Sequence, residues 1–84
     1  MRLPIIKNLV DFIEKNDEDF VIEAQEVLEH MIDAKGIKDE ELEVIGELLS
    51  NMSGSLEVNK LMREKGLSKK DSLNSFMQRV LGSV

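Results

Sequence analysis

Apolar residues recur along the chain at intervals of three and four, and each stretch between breakers keeps that helical period. In the first stretch Ile5, Ile6, Leu9, Val10 and Ile13 share one face. Pro4 stands just ahead of them, where a first-turn proline loses no helical hydrogen bond. Asn16 and Asp17 end this helix and supply a cap for the next. The second stretch runs from Glu18 to about Lys35, with Phe20, Ala24, Val27, Leu28 and Met31 on its apolar side. Gly36 stops it, preceded by Lys35 and followed by Ile37, the pattern of a glycine C-cap with its hydrophobic contact.

The third stretch is predicted to begin with Asp39 as N-cap, and Glu40 and Glu41 favour the positive end of the helix dipole. Leu42, Ile45, Leu49, Met52 and Leu56 step by three and four, the seam spacing of helices that pack side by side. The row turns polar at Asn59 and Arg63, and Gly66 closes the segment. Ser68 then opens the last stretch as N-cap, with Asp71 three residues on and a buried stripe of Leu73, Phe76, Met77, Val80 and Leu81. No segment alternates at period two, and no Asn-Gly or Asp-Gly hairpin turn is present. The expectation is an all-α fold: a single helical domain over 1–84, a compact bundle of about four helices with one long central helix at about 39–65.

"SNMSGS", residues 50–55, tests that reading, because its summed propensities disfavour helix by roughly 3 kcal/mol relative to alanine. Leu49, Met52 and Leu56 nevertheless keep phase across it, which favours one continuous helix. Gly46, Ser50 and Gly54, spaced by four, form a strip of minimal side chains where another helix can approach closely, from this chain or from a second copy.

At 84 residues the chain is one domain, and a core of that size supplies only ~3 to 5 kcal/mol, so self-association would add useful stability. Net charge is −6 and unevenly placed: residues 1–59 carry 5 Lys or Arg against 15 Asp or Glu, residues 60–84 carry 6 against 2. A helix over 39–65 would be about 40 Å long, beyond the roughly 30 Å diameter of a round domain of this length. These features predict a homodimer with the long helices antiparallel, Glu40, Glu41 and Glu43 of one copy meeting Lys60, Arg63 and Lys65 of the other. Its interface would use Leu42, Ile45, Gly46, Leu49, Ser50, Met52, Gly54 and Leu56.

Candidate chemistry is sparse. With no cysteine, the chain forms no disulfide and offers no thiol nucleophile or thiolate zinc site. There is one histidine and no phosphate-cradling glycine loop, so an enzyme is not expected, and no cofactor. "MRLPIIKNLVDFIEK" has neither a signal-peptide core nor the roughly 20 apolar residues of a membrane span, which predicts a cytoplasmic protein with no membrane partner. The acidic balance, and the absence of tyrosine and tryptophan, speak against nucleic acid.

Three motifs invite sharper readings. Asp71-Ser72-Leu73 matches the tripeptide on which acyl carrier proteins mount phosphopantetheine, but no acidic recognition helix follows it, and a helix start explains Ser72 better. "LMREKGLSKKDSL", residues 61–73, resembles the first two helices of a phage-type helix-turn-helix without the recognition helix that should come next. Glu26, Glu29, His30 and Asp33 offer four-apart carboxylate and imidazole pairs, but Val27 stands three before the histidine, where a helical di-iron site needs glutamate. A metal site would therefore have to be pooled across a dimer.

"MRLPIIKNLVDFIEKNDEDF", "ELEVIGELLSNMSGSLEVNKLM" and "SFMQRVLGSV" together resemble a family of small, acidic, uncharacterised bacterial helical proteins, a domain of unknown function. The resemblance implies a helical fold and a bacterial cytoplasmic setting and lends no site residues. The functional expectation is a non-catalytic helical interaction protein, homodimeric and binding a partner protein. The alternative is a small metal-binding helical protein whose carboxylate and histidine site is formed across a dimer.

Overall fold

Helix α1, Leu3–Lys15, starts with proline in its first turn, and its stripe turns inward: Ile6, Val10 and Ile13 are buried, Ile5 and Leu9 half-buried. The computed structural model describes residues 1–82, in which α1 is followed by α2 (Glu18–Ile32), α3 (Asp39–Lys65) and α4 (Lys69–Gly82), with no strand among them. Asp17 caps α2 by accepting the Asp19 N–H at 3.0 Å. Ser68 caps α4 by accepting the Asp71 N–H at 3.1 Å. Each bond satisfies a first-turn N–H that has no partner within the helix.

Two boundaries differ from the sequence expectation. Helix α2 ends at Ile32, not near Lys35; Asp33 is its C-cap, and the chain turns through Gly36 at φ +83°, a left-handed conformation that favours glycine. The N-cap position of α3 is Lys38, not Asp39, because the Lys38 carbonyl already accepts the Leu42 N–H at 3.0 Å. An ammonium cannot accept a capping bond, and the Glu41 carboxylate instead accepts the Lys38 N–H at 3.0 Å, half of a capping box.

The 27 residues of α3 include the whole of "SNMSGS", and α1, α2 and α4 each pack against this helix. Four residues of that stretch have a contact that a small or polar side chain makes possible. Asn51, fully buried, accepts the Arg2 N–H at 2.8 Å and donates to the Glu47 carbonyl at 2.9 Å, so it satisfies the start of α1. Ser53 accepts a bond from Gln25 Nε2 at 2.8 Å, tying α3 to α2. Ser55, also fully buried, donates to the Met52 carbonyl at 2.7 Å. Gly54 lies where α1 and α4 converge: an added Cβ would meet Ile6 Cδ1 at 3.0 Å and Phe76 Cζ at 3.2 Å. The helix-weak stretch thus exchanges local propensity for close packing.

The core gathers Ile6, Val10, Val58, Leu73 and Phe76, flanked by Leu61, Met62, Met77 and Val80. Leu81, read as the end of the α4 stripe, has a side chain outside the described residues. The molecule measures 44 × 32 × 18 Å with a radius of gyration of 13.8 Å. A rounder domain of this length would have a radius near 12 Å. Helix α3 therefore fits along the 44 Å axis of a thin slab and does not outrun its own domain.

Candidate functional site

Helix α2 carries two apolar rows. One, with Val21 and Leu28, turns toward α3, and Val21 is the only residue of α2 that is fully enclosed. The other is Phe20, Ala24, Val27 and Met31; the apolar side read from the sequence joined these four to Leu28, and most of them face outward: Phe20 is 57% exposed, Val27 61% and Met31 44%. Polar bonds along the α2–α3 seam run beside the inward row. Glu18 accepts from Asn59 Nδ2 at 2.9 Å and from Arg63 Nη1 at 3.1 Å, and Gln25 reaches Ser53. With Glu18 and Gln25 directed at α3, Val21 and Leu28 follow them inward by helical geometry, and the row of Phe20, Val27 and Met31 rotates to the rim.

Two depressions flank that rim. At the N-terminal end of α2, Leu9, Phe12, Phe20, Ala24 and Met52 line a hollow of about 290 Å³, with the Phe12 and Phe20 rings edge to face at 5.9 Å. At the other end, Met31, Glu40, Glu41, Val44 and Ile45 line one of about 360 Å³. Val44 is 59% exposed. A third depression, about 530 Å³, lies between α1 and α4 beside Lys7, Lys69 and Lys70. Its Lys69 ammonium is held between the carboxylates of Asp11 and Glu14, the latter at 2.6 Å. The hydrogen bond from Lys69 holds the Asp11 carboxyl below its ordinary range, and the bonds to Asp11 and Glu14 raise the Lys69 ammonium above its own.

The residues proposed for a dimer interface are dispersed. Ile45 and Gly54 are buried within this chain, Leu42, Leu49, Ser50, Met52 and Leu56 are half-buried, and Gly46 is exposed with nothing near it. Gly54 is thus explained by a contact with α1 and α4. The basic C-terminal third is partly committed within the chain as well: Arg63 to Glu18, Lys69 to Asp11 and Glu14, and Arg79 to Glu57 at 3.0 Å.

Glu26, Glu29, His30 and Asp33 all point to solvent, and no group of three or more His, Asp or Glu comes together with metal-binding geometry among the described residues. Ser72 is fully buried and its hydroxyl has no hydrogen-bond partner. A phosphopantetheine arm attached there would have to displace the core, and the carrier-protein reading of Asp71-Ser72-Leu73 has no exposed hydroxyl to stand on. Among the described residues no helix is long and apolar enough to cross a membrane.

Sequence reasoning missed the outward turn of α2 because either apolar row satisfies the same periodicity. The available signal was the presence of two rows on one 15-residue helix, more apolar surface than a single packing face can cover. The family model described as a family of unknown function (DUF6952) matches residues 1–84. No curated protein and no solved structure matches the chain.

Proposed function

We propose, for a chain that belongs to this family of unknown function over its whole length, a non-catalytic role as a helical interaction protein that docks a partner protein on α2. One observation carries the reading: Phe20, Val27 and Met31 form an apolar row that the other helices, among the described residues, leave about half exposed. Isolated exposed apolar side chains are ordinary; a row continuous with two apolar hollows marks an interaction surface. A homodimer built on α3 finds less support, because Ile45 and Gly54 are already enclosed by this chain. A metal-dependent role finds less support still, since the carboxylates around His30 are dispersed on an exposed helix face.

The absence of cysteine makes a direct test simple. Val27→Cys and, as a control, Ser75→Cys, both at exposed positions, are coupled to a thiol-reactive photo-crosslinker and illuminated in extract of the source cells. The expected result is a discrete adduct at position 27 and none at 75. The captured protein, once purified, should bind the unmodified chain and lose binding to Val27→Asp. Equal labelling at both positions, or a captured protein indifferent to Val27→Asp, overturns the reading.

A further inference from the structure

The helix that carries the exposed row and the helix that faces it are both acidic. Helix α2 carries five acids, Glu18, Asp19, Glu23, Glu26 and Glu29, and no lysine or arginine. The facing helix has six acids between residues 39 and 59, again without a lysine or arginine. Some of these are committed: Glu18 to Arg63, Glu47 to the N-terminal ammonium at 3.2 Å, and Glu57 to Arg79. Among the described residues Glu23, Glu26, Glu29 and Glu40 make no ion pair. Apolar floor and unpaired acidic rim lie side by side: Met31, Val44 and Ile45 share their hollow with Glu40 and Glu41.

Length and shape narrow the occupant further. The row from Phe20 to Met31 spans about 16 Å at ~1.5 Å per residue, the length over which three turns of a docked helix would present apolar anchors at spacings of three and four. Met31 and Met52, one in each hollow, bring unbranched, polarisable side chains that adapt to a partner's surface.

We infer that this face receives a basic amphipathic helix of another protein, apolar anchors seated between the two hollows along α2 and lysines or arginines meeting the acidic rim. The inference rests on the docking role proposed above and names the chemistry of the partner. A second copy fits poorly, because a two-fold contact over α2 would set its acids against the same acids. Anionic lipid and nucleic acid meet the same repulsion.

The test uses the full chain and a synthetic probe: a 15-residue amidated peptide of leucine and lysine with leucines at helical spacing, a scrambled peptide of the same composition, and an analogue with glutamate in place of lysine. Binding is read by fluorescence anisotropy and mapped by amide chemical shifts. The patterned basic peptide should bind with micromolar affinity, shifting the amides of Ala24, Val27, Met31 and Val44. The scrambled peptide should bind about tenfold or more weaker, and the acidic analogue not at all. Val27→Asp, at an exposed position where folding is checked by thermal unfolding, should weaken the patterned peptide by about tenfold. Raising salt should weaken binding without abolishing it, because the apolar anchors are not screened.

Equal binding of patterned and scrambled peptides would reduce the effect to bulk charge and overturn the inference. Shifts confined to α4, or no binding, would do the same. Light scattering at twice the 9.5 kDa chain mass, returning to one chain in Val27→Asp, would assign the face to a second copy and also overturn it. If position 27 captures a specific protein whose contact segment is not basic, the docking role stands and the partner chemistry proposed here falls.

Discussion

A methyl group placed on Gly54 would lie 3.0 Å from the Cδ1 of Ile6, closer than side chains tolerate without shifting. This contact fixes how near α1 approaches α3, and Phe76 of α4 closes on the same point from another side. Gly46, two turns earlier on α3, has nothing within 4 Å of its would-be Cβ.

The two glycines should therefore respond in opposite directions to the same substitution. Gly46→Ala gains helix propensity with no clash and should stabilise by about 1 kcal/mol. Gly54→Ala gains the same propensity but overpacks the junction, for a net loss of about 1 kcal/mol, and Gly54→Leu should lose about 3 kcal/mol or more. Urea unfolding midpoints read the sign directly; a stabilised Gly54→Ala would refute the packing account.

Asn51 joins two helices through one buried amide. Asn51→Ala should cost about 1 to 3 kcal/mol by leaving the Arg2 N–H and the Glu47 carbonyl without it. Hydrogen exchange should accelerate in the first turn of α1 before the middle of α4. Uniform acceleration would mean that Asn51 contributes only to global stability.

Ser72 carries a buried hydroxyl with no partner, so Ser72→Ala removes a desolvated polar group and should stabilise by about 1 kcal/mol. The same burial predicts no mass gain on incubation with a phosphopantetheinyl transferase and coenzyme A. Stoichiometric addition lost in Ser72→Ala would restore the carrier-protein reading. Ser68→Ala should act oppositely, losing about 1 kcal/mol with the Asp71 capping bond.

The Asp11–Lys69–Glu14 group sets a pH window. Asp11 is lowered from 3.8, so its contribution is present above that unfolded value and is lost as pH falls through the folded one. Lys69 is raised from 10.5, so its contribution is present below that value and is lost as pH rises through the folded one. The stability difference between wild type and Lys69→Met should be level across neutral pH and shrink at both extremes, most at low salt because the group is partly exposed. A difference that grew toward acid would contradict the pairing.

The amino-acid sequence by itself determined the helical class, the inward stripe of α1 and the caps Asp17 and Ser68, because apolar period and capping chemistry act within a few residues of chain. It also marked "SNMSGS" as a stretch whose weak propensity needed a tertiary cause. It did not reveal that the cause was Arg2, just ahead of α1, together with Ile6, Gln25 and Phe76 from three other helices, whose proximity no local rule encodes. Only the tertiary structure decided which row of α2 faces inward. Both rows share the helical period, and the inward one lies beside Glu18 and Gln25, whose partners on α3 stand 41 and 28 residues away in the chain. The exposed row of Phe20, Val27 and Met31 follows from the same packing, and no further helix among the described residues encloses it.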